Sequence, residues 1–550
     1  MAHYLRRGKS QSAEGSIYQK RPLWIAIKAG HNLYRRSKKL NAKATRIHAR
    51  RQMAEQGAKR PAPFSHQHLA VFERQVHGVV VVPGDPDYET ARQVFFRQFQ
   101  RFPEIIVYCE CANDVAACLA LAAEFGLEVV CRSGGHSSAG FSINNGMVVD
   151  LSRMNSVWVD TVAKRAIVGG GTSFHRLNAV LSDHGLHVPG GGCDDVCIGG
   201  YMQGGGYGFT SREFGMNCDC VTGFEMMLWN GGIVAANATT NADLFWSVRG
   251  GMGGNFGVLL SVTYALVDLG EMAGFGLSWS ATDAPAALVA LQSQFIAGTA
   301  TSKLGYQCAV MIQDGSPRLY MRGLFNGDTK ACKAMIKPLV DLPGTSLDIE
   351  LTGRYALLNQ ELLEKPVPIP TAPDFVFEET QAGYIDRMLD AAEWAAMMDF
   401  MATSPNDWND IGIEPYGGAI TRQDDPNAFI HRNVFMNLFM EVFWFRQEEY
   451  DVNIAWLDRF MALMAPCMNG QTYQNYPRAG TMAPQRAYWA DHLGTLAKVK
   501  SKYNPSDWFA NPHHILPPLM QPPGAPPPVG PKFPDEPIAY SRPPQRSGQV

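Results

Sequence analysis

Between Val129 and Asp150 the chain reads VVCRSGGHSSAGFSINNGMVVD, a stretch whose residue types are suited to gripping an anion. Glycines at 134, 135 and 140 permit positive φ and remove Cβ atoms, so successive N–H groups can turn toward one anion, with Arg132 beside them to supply charge. A phosphate is the expected ligand. Two apolar β-forming runs, Val129-Val130 and Met147-Val148-Val149, bracket the segment, which therefore reads as strand, backbone-exposing loop, strand. Taken alone, the same pattern also suits a plain connection between strands, with His136 as a structural histidine.

Further glycine blocks follow in order. They are Pro189-Gly190-Gly191-Gly192-Cys193, then Ile198-Gly199-Gly200-Tyr201-Met202-Gln203-Gly204-Gly205-Gly206-Tyr207-Gly208, then the stretch from Asn241 through Arg249-Gly250-Gly251 to Gly257-Val258. In order and spacing these blocks resemble the flavin domain of berberine bridge enzyme-like oxidases, of the vanillyl-alcohol oxidase/p-cresol methylhydroxylase (PCMH) superfamily. The resemblance reaches beyond them, to V-x-P-G-D-P-x-Y near Val79, to Arg101-Phe102-Pro103 and to the closing Tyr488–Ile515 segment. Asn504 stands there for the usual Asp, and Asn511-Pro512-His513-His514-Ile515 replaces the family's N-x-Q-S-I, which leaves any flavin contact from the missing Gln open.

The resemblance implies an FAD-dependent oxidoreductase. In the family the His of GGHS carries the 8α-methyl of FAD and a Cys in the position of Cys193 carries carbon 6, so bicovalent attachment through His136 and Cys193 is implied. The implied cofactor-binding set is Arg132, Ser133, Gly134, Gly135, His136, Ser137, Gly140, Gly191, Cys193, Ile198, Gly199, Gly200, Tyr201, Gly204, Gly205, Gly206 and Val258. Gly191 occupies a position where a small residue leaves room for O2, which favours an oxidase. Tyr201 stands where plant relatives carry a His beside flavin N1. The expected substrate is a sugar, alcohol or secondary metabolite that gives a hydride to flavin N5. A dehydrogenase with another electron acceptor, or an idle flavin-fold scaffold that binds partners through its tails, stays open.

Such a reaction needs a base for the accompanying proton. Tyr476, in Thr472-Tyr473-Gln474-Asn475-Tyr476-Pro477, resembles the family's A-Y-x-N-Y segment, in which several members place a catalytic tyrosine. A tyrosine of ordinary pKa, about 10, needs positive neighbours or a strong hydrogen bond to act near neutrality. Arg478 either depresses that pKa or faces solvent. Glu441 and Glu414 are the other candidate bases. In a strand, Asn437 and Glu441 share a face, turned either to the flavin or to solvent.

The elements that must position these residues follow from composition and pattern. A chain of 550 residues, 46% hydrophobic, can bury a large core. Its formal net charge of -3 hides a basic start: residues 1–60 carry 16 Lys/Arg against 2 Asp/Glu, and the remainder 32 against 49. The expected organisation is a basic extension (1–60), an FAD-binding domain (75–267), a substrate domain (268–478), a return to the first domain (479–516) and a tail (517–550) with 12 prolines. The fold class is α+β: a two-subdomain PCMH-type FAD-binding domain with an antiparallel-sheet substrate domain. In the first domain, Asn113 is expected to cap a helix that buries Val115, Cys118, Leu119 and Ala122 and ends at Gly126.

Eleven cysteines without a secreted disulfide pattern point to a reducing compartment, and no C-x-x-C pair or His at zinc spacing supports a metal. No window reaches a membrane span and no signal peptide is legible, so a cytoplasmic location is expected, with twin-arginine export from Arg6-Arg7 disfavoured. Nucleic acid is not a favoured partner. The two extensions are expected either to be solvated or to contact a second subunit or a partner.

Overall fold

The computed structural model describes residues 64–296, 301–364, 377–421 and 426–516. The basic extension and the proline-rich tail lie outside them. No helix among the described residues is long and apolar enough to cross a membrane.

Helix α1 (His66–Gln75) opens on a capping box between Ser65 and His68. The first sheet has strand order β1-β2-β4-β3, from β1 (Val79–Val81), β2 (Ile105–Tyr108), β3 (Val129–Arg132) and β4 (Met147–Asp150). β4 runs parallel to both β2 and β3. Between β2 and β3 lies α2 (Ala112–Phe125), which buries Val115, Cys118, Leu119 and Ala122 and stops at Gly126, where φ is +63°. Its cap differs from expectation. Cys111 is the N-cap and makes no side-chain cap bond, while Asp114 accepts N–H bonds from His77, Gly78 and Glu110. A carboxylate one turn inside the helix thus serves backbone from the neighbouring segment, a long-range contact that local spacing does not encode.

The second sheet is antiparallel, order β5-β6-β10-β8-β9, from β5 (Val157–Asp160), β6 (Arg165–Gly169), β8 (Val221–Met227), β9 (Ile233–Asn237) and β10 (Val258–Ala265). A short pair joins β7 (Leu186–His187) to β11 (Val267–Asp268). Helices α3 (Phe174–Asp183) and α4 (Ala242–Val248) contribute Phe174, Leu177, Leu244 and Trp246 to its core.

Seven strands between Met272 and Trp444 form an antiparallel sheet, order β15-β12-β14-β13-β17-β18-β16. Its strands are β12 (Met272–Ser280), β13 (Leu304–Gln313), β14 (Ser316–Phe325), β15 (Ser346–Gly353), β16 (Phe377–Ile385), β17 (Asp410–Pro415) and β18 (Met436–Trp444). Because side chains alternate along each strand, one face carries Leu277, Val310, Ile411, Leu438 and Met440 into a core. That core is completed by α5 (Ala284–Leu291), α6 (Thr329–Val340), α7 (Ala391–Met401) and α8 (Tyr450–Met464), with Trp394, Trp456 and Phe460 fully buried. The opposite face stays free for chemistry. The final helix, α9 (Leu493–Tyr503), packs Leu496, Val499 and Tyr503 into the core of the second sheet, and Asn504 is its C-cap.

A largely buried ion pair ties the loop before β18 to the turn before β8. Arg432 gives Nη1 and Nη2 to the two carboxylate oxygens of Asp219, at 2.7 and 2.6 Å, and a further bond to Asn427. Removing one partner strands the other charge in a poorly hydrated place. Arg432→Leu should cost roughly 3–5 kcal/mol of stability, read as a lower midpoint in urea followed by tryptophan fluorescence; a loss below 1 kcal/mol would show the pair to be idle.

Candidate active site

A cavity of about 550 Å³ opens between the glycine loops and the free face of the seven-stranded sheet. β3 and β4 are adjacent and parallel, so their connection must leave one end of the sheet and return to the other. Residues 133–146 make that crossover as a loop, with Gly135 at φ +79°. The loop seats against the second glycine block: a Cβ at Gly134 would lie 2.8 Å from the Asp195 carbonyl, and one at Gly199 2.5 Å from Ser133 Oγ. This contact brings His136 and Cys193 to one cavity. The Cys193 loop is held from outside, where Tyr355 Oη donates to the Gly190 carbonyl (3.1 Å) and Asn359 Nδ2 to that of Gly192 (3.0 Å).

Ser133, Gly134, Gly135, His136, Ser137, Gly191, Cys193, Gly199, Gly200 and Tyr201 line the cavity. Gly140, Ile198, Gly204, Gly205, Gly206 and Val258 stand behind that lining. Ile198 and Val258 are fully buried core residues, and a Cβ at Gly204 would run into Asn475. Arg132 also departs from expectation. Its guanidinium is paired with Asp150, opposite it across β3 and β4, and donates to the Gln93 carbonyl, so its charge is committed to the sheet end instead of an anion. The donors left available to an anion are backbone groups. The N–H groups of Gly134, Gly135, His136 and Ser137 find no acceptor among the described residues.

His136 stacks on the half-exposed Phe95 ring, centroids 4.4 Å apart, and burial lowers its pKa, which keeps the imidazole neutral and its ring nitrogen nucleophilic. Tyr201 donates its hydroxyl to the Tyr207 carbonyl, and its ring would meet a Cβ at Gly191 at 3.0 Å. Asn511 lines the cavity too, with Nδ2 on the Gly253 carbonyl (3.2 Å).

The three candidate bases all face this cavity. Register sorts the sheet face into rows. Arg322, Gln307, Glu414 and Asn437 lie in one row, Tyr320, Ala309, Gly412 and Phe439 in the next, and Asp410, Glu441 and Thr380 in the third. Tyr476 reaches down from a turn and donates to Glu414 Oε1 at 2.7 Å, while Asn437 Nδ2 donates to Oε2 at 2.9 Å. Its ring lies over Phe439, centroids 5.0 Å apart. The turn is anchored by Tyr473, whose hydroxyl oxygen accepts the N–H groups of Gly206 and Tyr207 at 2.9 and 3.1 Å.

Burial pushes Glu414 up to about 7 against the lowering hydrogen bonds from Asn437 and Tyr476. Burial, then the Glu414 charge, pushes the Tyr476 phenol well above its ordinary value. Arg478 does neither of the things expected of it. It pairs with Asp458 (2.6 Å) and lies 3.8 Å from Glu379, so its charge is used at the outer sheet edge. Glu441 is also raised to about 7, by burial and then by Glu414, and its neighbours Asp410 and Glu378 are raised by burial and by Glu441. Asp410 and Glu378 were missed in the sequence. Asp410 could have been found, since it shares the period-two face of Glu414 and Gly412.

These features fit FAD. Four orphaned N–H groups in succession suit a pyrophosphate, and the wall at Gly200, where a Cβ would meet nothing within 4 Å, leaves width for a flat ring system. An FAD binding domain family matches residues 103–237. "Uncharacterized FAD-linked oxidoreductase YgaK" of Bacillus subtilis is 26% identical over 81% of this chain and 98% of its own length. Xylooligosaccharide oxidase of Thermothelomyces thermophilus is 25% identical over 80% of this chain and 92% of its own. Among solved structures, BBE-like 1 of Physcomitrella patens superposes with a TM-score of 0.74 at 25% identity, covering 82% of this chain and 99% of that one. The matched FAD binding domain and the relatives aligned over nearly their whole length mark this chain as an FAD-linked oxidoreductase, similar in sequence and in α+β fold to a berberine bridge enzyme-like protein.

Proposed function

We propose that the chain is an O2-using oxidase with FAD attached to both His136 and Cys193, which removes a hydride from a hydroxyl-bearing carbon of a sugar or related alcohol. The observation that carries this reading is the Tyr476–Glu414 hydrogen bond, set in the same cavity as His136 and Cys193. Bound FAD supplies a two-electron acceptor that takes hydride at N5. The chain supplies the rest. Tyr476 Oη accepts the substrate hydroxyl proton as its own proton passes to Glu414 Oε1, so Glu414 ends as the neutral acid, the negative charge leaves the substrate with the hydride, and no free phenolate forms. Asn437 fixes the second carboxylate oxygen and so aims Oε1 at the phenol. Phe439 and Tyr320 offer flat apolar faces and Gln307, Thr380 and Asp410 polar groups, a mixture suited to a polyhydroxylated ring. Similarity to a xylooligosaccharide oxidase supports the sugar class. Gly191, kept small beside the Tyr201 ring, supports O2 access to the cavity.

Attachment is checked by acid precipitation. Flavin colour should stay with the polypeptide in the wild type, in His136→Ala and in Cys193→Ala, and leave with the supernatant in the double variant. Free FAD from the wild type would end the bicovalent reading.

Proton removal is checked under anaerobic conditions with a panel of oligosaccharides and secondary alcohols. Tyr476→Phe and Glu414→Gln should each slow flavin reduction by roughly 10²–10⁴-fold while leaving flavin attachment intact. A change of only a few-fold would reassign Tyr476 to packing against Phe439.

Only ionised Glu414 can take the proton, so the reduction rate should rise with pH through about 7 and then level off. Asn437 hydrogen-bonds the charged form and holds that pKa down. Asn437→Leu should therefore move the rise upward by about one to two pH units, the equivalent of a charge-assisted hydrogen bond of about 1.5–3 kcal/mol. An unshifted profile would remove Asn437 from this role.

A further inference from the structure

Away from the cavity, where α2 begins, three side chains of different chemistry converge from separate segments. His77, between α1 and β1, places Nδ1 3.3 Å from Asp114 Oδ1 and 3.7 Å from Cys111 Sγ. All three donor atoms lie within 4.8 Å of one another. A tetrahedral zinc ion with N and O ligands near 2.0–2.1 Å and S near 2.3 Å spans ligand-to-ligand edges of about 3.3–3.7 Å. The two edges at His77 match. We infer that His77, Cys111 and Asp114 form a binding site for a single Zn²⁺ ion.

Charge and coordination agree with that assignment. A thiolate, a carboxylate and a neutral imidazole carry two negative charges, which one Zn²⁺ balances. The donor set of N, S and O suits a borderline-soft cation and is poor for Mg²⁺ or Ca²⁺, which prefer oxygen alone. Asp114 is fixed for the task. It is fully buried, its Oδ2 takes the Gly78 and Glu110 N–H groups, and its Oδ1 takes only one backbone N–H, that of His77, leaving a lone pair toward the imidazole. His77 is mostly exposed, so a water can fill the fourth position. None of the three lines the active cavity, and neither flavin attachment nor proton transfer uses them. Spacing along the chain hides the set, because His77 comes from 34 residues before Cys111. The bound ion would pin the link between α1 and β1 to the start of α2.

The test uses the FAD-loaded, full-length protein stripped with a chelator and titrated with Zn²⁺ by calorimetry, and with Co²⁺ followed in the red, beyond flavin absorption. Two substitutions spare the fold. Cys111→Ser puts a favoured N-cap residue at the helix start, and His77→Gln changes an exposed side chain. One Zn²⁺ per chain in the wild type, tetrahedral Co²⁺ bands, and at least about tenfold weaker binding in each variant are expected. No uptake by the wild type, or uptake equally tight in both variants, overturns the site and leaves His77 as a hydrogen-bond partner of Asp114.

Discussion

The parallel pairing of β3 with β4, locked at its end by Arg132 and Asp150, is the constraint on which the rest of the molecule depends. Adjacent parallel strands cannot be joined by a tight turn. The chain must travel the length of the sheet, and here it does so without a helix, so the backbone of residues 133–138 has no ladder or helical partner to satisfy its N–H groups. A charged arginine at the mouth of that loop could have served the anion directly. Its engagement by Asp150 instead makes it a brace, and the loop presents dipoles whose direction is set by the sheet. The second glycine block then fits against the first only because neither Gly134 nor Gly199 carries a Cβ.

Facing this assembly is a sheet whose concealed face packs Trp394, Trp456 and Phe460 and whose other face carries buried carboxyl groups into the cavity. Desolvation is the common cause of the raised pKa values of Glu414, Glu441, Asp410 and Glu378. It also explains why a tyrosine alone is a poor base here. The phenol is buried beside a carboxylate, so its anion is disfavoured twice, and the base we propose is therefore the hydrogen-bonded pair and not the tyrosine by itself.

Much of this was legible in the residues. The glycine blocks, the alternating runs of β13, β14 and β18, and the apolar stripe of α9 obey local periodicities, and the structure has strands and a helix there. Glu414, Glu441 and Tyr476 could be singled out, yet their relation could not. The 2.7 Å contact joins residues 62 positions apart and depends on the registers of three strands. The charges of Arg132 and Arg478 were misjudged for the same reason: each is spent on a carboxylate supplied by another element. Asn113 looked like a cap because capping rules are local, whereas Asp114 answers to backbone 36 and 37 residues away.

The rows of the seven-stranded sheet carry one more consequence. Glu414, Asn437 and Gln307 sit in one row, whereas Asp410, Glu441 and Thr380 sit in a row four residues away along the strands, with Gly412 and Phe439 between. On the proposed mechanism, recognition and proton transfer are therefore spatially partitioned on one face of the sheet. Because each row is built from side chains that project independently from a shared backbone ladder, the outer row can drift through substitution while the inner row stays in register. The architecture thus permits a lineage to exchange one polyol, amine or phenol for another without rebuilding its acid–base apparatus, a separability that a site assembled on loops would not possess.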